Sequence, residues 1–400
     1  MGFQFRLEIV EGPFLLKLTR TLPTQTRRDA WVEVNLDALE QNAKAVRQFL
    51  PAHVTLMAIV KADAYGHGAV MSIPVLESAG VEIVGVASLD EALQIRQSGS
   101  EIPILVIGPV PDWSIETAIA HDIQLTLFAQ EQLESLMASC DRLKRAVKIH
   151  VKLDTGMHRI GLAPETAAEM IIRCQKHLYI DVQGVFTHLA CADNLAKNQM
   201  QYQRWQNVLK ALPERPKYCH VDNSVGAVSF PDGHENLVRM GIAFYGYLPD
   251  WPNHSLPLRP VMGLKARVIR LVTVEAGEGV SYGHHFQIES NIEKSSRVIA
   301  TVPLGYADGI PRLLSGKMFA RVQGVLCPQV GTITMDQMMF DVTEVFDQGG
   351  CVTYGETITL LDETLTLTHW AKEIGTIEYE LMCALRVRLP KVYTRQSHLL

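Results

Sequence analysis

From Ala30 to about Gly246 the chain alternates short β-branched runs with segments whose apolar positions recur at helical spacing. The runs "WVEV", "VTLMAIV", "IVGV", "PILVIG", "IQLTL", "VKIHVKL", "VQGVFTH", "YCHV" and "LVRMGIAFYG" read as strands. Helix signals lie between them: Ser88 and Glu91 form a capping box in "SLDEALQIRQSG", and Pro164 suits the first turn of "PETAAEMIIRCQKH". This alternation predicts parallel strands with crossover helices, and eight or nine strands in about 220 residues suit a closed (β/α)8 TIM-type barrel. An open doubly wound sheet shares the alternation, but no early strand is followed by GxGxxG, which weakens a dinucleotide-binding reading.

After Pro260 the pattern changes to "KARVIRLVTVEAG", "RVIATVPLG", "ARVQGVL" and "ETITLL", with only "LTHWAKEIG" reading as a helix. A smaller, mostly β C-terminal domain is expected over residues 260–400, after a barrel over 30–259 and an N-terminal extension, 1–29, to which no role is assigned. The Pro-rich "LPDWPNHSLPLRP" reads as the linker.

Composition narrows the function. The 400 residues are 47% hydrophobic and 20% charged, as in soluble globular proteins, and a net charge of -6 gives no general attraction to nucleic acid or acidic membranes. No apolar segment approaches the roughly 20 residues that cross a bilayer, and Glu8 and Glu11 interrupt the opening segment where a signal peptide needs an apolar centre. Seven dispersed cysteines without a CxxC pair argue for reduced thiols in the cytoplasm, with neither a disulfide framework nor a metal site.

Barrel chemistry sits at the C-terminal ends of strands. Here those ends are polar: Lys61; Lys152, Asp154 and Arg159; His188; Asn223 and Ser224; Arg239 and Gly241. A single strand-end histidine is commonly a hydrogen-bonded core residue, and a single arginine a surface partner for an acid. Five such ends on one rim predict an active site. A lysine desolvated beside other cations becomes an amine nucleophile able to form a Schiff base, and Ser224 with the glycine turn at Gly241 would hold a phosphate. Together these suggest pyridoxal phosphate, although barrel aldolases also join a Schiff-base lysine to a phosphate site.

From "AWVEVNLDAL" to "RLPKVY" the chain resembles alanine racemase, the barrel-type pyridoxal-phosphate enzyme family that interconverts L- and D-alanine. The resemblance rests on "VKADAYGHG", "KLDTGMHRIG", "VSYG", "GYADGIPR", "TMDQ" and "TIEYE", in this order. It implies pyridoxal 5'-phosphate on Lys61, with its phosphate held by Tyr65, Ser224, Gly241, Ile242 and Tyr379 and supported by Asn223. Arg239 would face the pyridine nitrogen. Arg159 would meet the cofactor's phenolic oxygen and the substrate carboxylate, oriented by Lys152, which is carbamylated in many members. Tyr282 and Met335 would serve the other subunit of a head-to-tail homodimer, and Asp193, Tyr306 and Arg312 would line the substrate access channel. The implied role is D-alanine supply for peptidoglycan.

Racemisation requires proton removal on one face of Cα and delivery on the other, so Lys61 and Tyr282 are expected to act as the two acid/base groups, with His188 supporting the tyrosine through Arg239. His158, Asp222 and Thr334 replace the family's common glycine, small apolar residue and cysteine. Tyr379, which narrows the space beside a substrate methyl, points to alanine. The alternatives are a serine or broad-specificity racemase and a non-catalytic pyridoxal-phosphate carrier. Carriers generally lack a second domain, and a barrel decarboxylase would need a cysteine motif not apparent here.

Overall fold

The first strand, β1 (Ala30–Asn35), does not join the barrel. The computed structural model describes residues 28–229, 234–248, 256–288, 296–385 and 388–395, so most of the N-terminal extension and of the Pro-rich linker lies outside the described residues. "WVEV", expected among the barrel strands, instead pairs antiparallel with β10 (Met262–Arg267) and parallel with β19 (Lys391–Thr394). β1 alternates in exposure, as suits a sheet with one wetter face, and Glu33 on that face reaches Lys265 of β10 at 2.8 Å.

The other eight runs form the barrel: β2 (Thr55–Ile59), β3 (Ile83–Val86), β4 (Ile104–Val106), β5 (Gln124–Leu127), β6 (Val147–Lys152), β7 (Ile180–Phe186), β8 (Tyr218–His220) and β9 (Leu237–Met240). All pairings are parallel, running in sequence from β2 to β8, with β9 beside β2. The β8–β9 seam is closed more loosely, by Arg239 N–H to the Asp222 carbonyl at 3.1 Å and Cys219 N–H to Asn236 Oδ1 at 2.8 Å. Strands covered on both faces are largely apolar, and β3, β4, β5 and β9 are buried at every position, Gln124, Thr126 and Arg239 among them.

The expected helix signals are present in altered form. Pro164 opens the helix Pro164–Gln175. Ser88 Oγ accepts the Glu91 N–H, but the Glu91 carboxylate does not return to the cap; it accepts the N–H groups of Ala87 at 2.8 Å and Ala62 at 2.7 Å. Half the box therefore serves the rim beside Lys61.

The second domain is built on a nine-stranded sheet that adds β11 (Arg270–Glu275), β14 (Ser296–Val302), β15 (Phe319–Val322), β16 (Val325–Val330), β17 (Met338–Asp341) and β18 (Thr357–Leu361) to β1, β10 and β19, plus a small hairpin of β12 (Gly279–Val280) and β13 (Phe286–Gln287). "LTHWAKEIG" is helical over Leu367–Ile374, and two helices were not expected, Thr343–Asp347 and Glu378–Ala384. The latter brings Tyr379 to the barrel mouth, where its ring lies 5.8 Å from that of Tyr65.

Candidate active site

Directly after β2 the backbone turns left-handed. Ala62, Asp63, Ala64 and Tyr65 have φ of +53, +56, +55 and +52°, a conformation that costs a non-glycine residue roughly 1–2 kcal/mol. Such a turn persists only if its surroundings over-determine it. Here Glu91 holds the Ala62 N–H, Asp63 accepts the Ala69 N–H at 2.8 Å and pairs with Lys391 at 2.8 Å, and buried His67 donates from Nδ1 to the carbonyls of Ala64 and Tyr65 at 2.9 and 3.0 Å. The result aims Lys61 and Tyr65 into the mouth. Burial, then the Arg159 charge, lowers the Lys61 pKa from its ordinary value, as a Schiff-base lysine requires.

A polar cradle faces this lysine. Ser224 Oγ accepts the Gly241 N–H at 2.9 Å, which leaves the serine proton available, and the turn Ile242–Tyr245 starts at Gly241. A Cβ at Gly241 would lie 2.8 Å from the Tyr65 hydroxyl, so the glycine is what lets that hydroxyl approach. Asn223 is placed differently: its Oδ1 accepts the Gly226 N–H at 2.9 Å and caps the short helix that begins with Ser224.

Below the cradle lies Arg239, 4% exposed and surrounded by neutral acceptors: the carbonyls of Thr187 and Val221, both at 2.8 Å, His220 Nδ1 at 3.0 Å and His188 Nδ1 at 3.3 Å. Burial pulls its pKa down to about 10, and the charge of Asp222 opposes that shift. Burial and then the Arg239 charge push His188 down to about 3, so its ring is neutral. Because the guanidinium can only donate, His188 Nδ1 must accept, and the ring proton sits on Nε2. Lys152 is lowered to about 7 by burial, then by Arg239 and Arg159, and lies 5.0 Å from the centre of the Phe186 ring.

The remaining expected residues are more exposed. Arg159 is at the surface of the mouth. His158, with φ of +52°, pairs with Asp154 at 3.2 Å, and Asp193 is exposed on a barrel loop. Tyr282 is 74% exposed, Met335 52% and Tyr306 43%, with Arg312 exposed nearby in sequence. Hydrogen bonds knit these second-domain loops together: Tyr306 N–H to the Thr334 carbonyl, Ala307 N–H to the Met335 carbonyl, and the Thr332 hydroxyl to the Tyr282 carbonyl. Among the described residues, no hydrogen bond or ring contact joins Tyr282 or Met335 to the Lys61 cluster of the same chain.

A family model described as alanine racemase, N-terminal domain, matches residues 34–249, and one described as alanine racemase, C-terminal domain, matches residues 261–393. The chain belongs to the alanine racemase family. Alanine racemase 1 of Oceanobacillus iheyensis is 40% identical over 92% of this chain and 98% of its own. The solved alanine racemase of Clostridium difficile superposes with a TM-score of 0.86 at 34% identity, covering 92% of this chain and 97% of that one. The Bacillus anthracis enzyme, solved with bound L-Ala-P, gives 0.83 at 34% identity over 92% and 96%.

Alanine racemases depend on pyridoxal phosphate, and the residues at this mouth fit that group: a lysine of lowered pKa, two hydroxyls and a glycine turn for a phosphate, and a buried cation below. The departures from the family's common residues also have local reasons. Asp222 is buried, accepts the Tyr202 hydroxyl at 2.7 Å and pairs with His234 at 3.2 Å. Thr334 uses its hydroxyl to bond the Gln337 carbonyl at 2.8 Å, bracing the loop that carries Met335. Sequence reasoning gave His67, His150, His220 and Gln124 no role and read Glu91 only as part of a helix cap; for His150 and His220 the signal was a histidine inside each of the apolar runs "VKIHVKL" and "YCHV".

Proposed function

We propose that the protein interconverts L- and D-alanine with pyridoxal 5'-phosphate on Lys61, using Lys61 and Tyr282 as proton-transfer groups on opposite faces of Cα. The observation that carries this reading is the meeting of a half-buried, pKa-lowered lysine with the Ser224–Gly241–Tyr65 cradle above buried Arg239. When bound, the cofactor would supply an aldehyde for the substrate amine and an electron-withdrawing ring that acidifies Cα.

The chain's own groups do the rest. Ser224 and Tyr65 offer hydroxyls to the phosphate beside the backbone of Gly241 and Ile242, with Tyr379 closing that side and Asn223 fixing Ser224. Arg239 sets a positive charge where the ring nitrogen would lie, so that nitrogen resists protonation and charge stays nearer Cα, which suppresses misplaced reprotonation. Arg159 receives the substrate carboxylate, oriented by Lys152, whose pKa near 7 suits carbamylation. A tyrosine is a weak base at neutral pH and needs a donor; the Nε2–H of His188 is that donor.

Tyr282 and Met335, exposed in one chain, complete the site of a second copy in a head-to-tail homodimer, with Asp193, Tyr306 and Arg312 along the access channel. Among the described residues no helix is long and apolar enough to cross a membrane, and the dispersed cysteines support work in the cytoplasm, where D-alanine feeds peptidoglycan. Purified protein incubated with L-alanine, D-alanine or L-serine, with chiral detection of product, tests the reading. Alanine should racemise in both directions and serine far more slowly; product from neither enantiomer of alanine would overturn it.

A further inference from the structure

Arg239 is one end of a hydrogen-bonded file running down the barrel interior. Its Nη1 meets His220 Nδ1 at 3.0 Å, His220 Nε2 meets His150 Nδ1 at 2.8 Å, and His150 Nε2 meets Gln124 Oε1 at 3.0 Å. Both imidazoles are 0% exposed and Gln124 6%, so the file lies away from bulk solvent and its polar atoms need these partners. The file crosses from β9 through β8 and β6 to the first residue of β5. A register shift between Ile149 and His150 accompanies it, and Gly184 of β7 leaves it room: a Cβ there would lie 2.2 Å from His150 Nδ1.

Donor counting allows one polarity. The guanidinium only donates, so His220 Nδ1 must accept and its proton lies on Nε2. That proton goes to His150 Nδ1, which places the His150 proton on Nε2, and this bond needs an acceptor at residue 124. If the Gln124 amide were turned, its NH2 would meet His150 Nε2, His150 would donate from Nδ1, and His220 Nδ1–H would confront the Arg239 N–H. Both rings are neutral, since burial, then the Arg239 charge, pushes His150 down to about 3 and His220 well below its ordinary value.

We propose that Gln124 is a positioning residue for the racemase reaction: its carbonyl oxygen takes the His150 Nε2–H at the far end of the one polarity Arg239 permits, and so anchors the two rings that hold the Arg239 guanidinium in place. The reaction-level part rests on the reading that Arg239 faces the ring nitrogen. The tautomer part does not.

Selective 15N-histidine labelling and long-range proton–nitrogen correlation of the whole protein test both. In the wild type His150 and His220 should each show a protonated Nε2 and a bare Nδ1; a proton on Nδ1 of either ring overturns the proposal. In Gln124→Met, which removes the acceptor at similar volume, the His150 Nε2–H should lose its hydrogen bond and its proton resonance move upfield, and kcat should fall by up to roughly 10²-fold with KM little changed, as for a misplaced catalytic support. An unmoved His150 Nε2–H resonance, or a moved one at wild-type kcat, overturns it. His150→Phe breaks the file at its middle and should give the same kcat loss with His220 alone reporting, so the test survives misfolding of one variant. Wild-type protein that shows the expected tautomers without racemising alanine would instead sink the functional reading.

Discussion

The carboxylate of Glu91 accepts the Ala62 N–H at 2.7 Å, one residue beyond Lys61, and thereby ties the helix after β3 to the left-handed turn after β2. Its second oxygen holds the Ala87 N–H. Glu91→Ala would leave both donors without this partner, at about 1–3 kcal/mol for the better buried one, and would release the strained turn. Gln retains one acceptor. Cofactor titration by absorbance should show clearly weaker binding for Glu91→Ala and near wild-type binding for Glu91→Gln; equal binding in both would mean that Glu91 does not hold the turn.

Reductive trapping tests the lysine itself. Borohydride should fix pyridoxal phosphate to Lys61, and a mapped peptide carrying it on Lys152 would overturn the site assignment. Arg159, after burial, lowers the Lys61 pKa. Removing that charge in Arg159→Gln should therefore raise the pKa and move the pH midpoint of cofactor capture by apoprotein upward. A midpoint that stays or falls contradicts the electrostatic account.

Lys152, at about 7, is substantially uncharged at neutral pH and can react with carbon dioxide. Incubation with 13C-bicarbonate should give a carbamate resonance that is lost in Lys152→Arg. Its absence from wild-type protein would leave Lys152 as a plain amine over the Phe186 ring.

The exposed Tyr282 calls for a test across subunits. Mixing inactive Lys61→Ala with inactive Tyr282→Phe should restore activity in the one hybrid site that holds both native residues. Tyr282→Phe alone should keep its cofactor and lose roughly 10²–10⁴-fold in racemisation. It should still exchange the α-proton of one enantiomer with deuterium, D-alanine if Lys61 serves that face. Equal exchange of both enantiomers would refute a two-base division.

Acid should unfold the protein early. His67, His150 and His188 are held at about 4, 3 and 3, chiefly by burial, against 6.5 for a free histidine. Above 6.5 both states are neutral and nothing is lost; as pH falls towards 3–4 the unfolded chain takes up protons that the folded chain refuses. Each imidazole then removes about 1.4 kcal/mol per pH unit. Urea denaturation near pH 7.5 and again near pH 5 should show this loss, and His150→Phe should reduce the slope by about one proton. A flat profile would mean that these rings reach solvent when charged.

The eight barrel strands, their direction and the rim of polar ends were legible from local pattern, because strands covered on both faces read as largely apolar runs and parallel barrel strands all end on one side. That is why Lys61, Arg159, His188, Ser224 and Arg239 could be placed together before any contact was known. Pairing partners were not legible. β1 has the composition of a barrel strand, but it pairs along its length with β10, where Glu33 meets Lys265 across a separation that no short window contains. The inward turn of His150 depends likewise on a register shift and on the space left by Gly184. Glu91 carries a capping signal in its own helix, yet its stronger bond goes to another element. Local sequence dictates periodicity and burial, whereas the partner of a buried polar group is chosen by whichever distant donor or acceptor the folded backbone brings within about 3 Å.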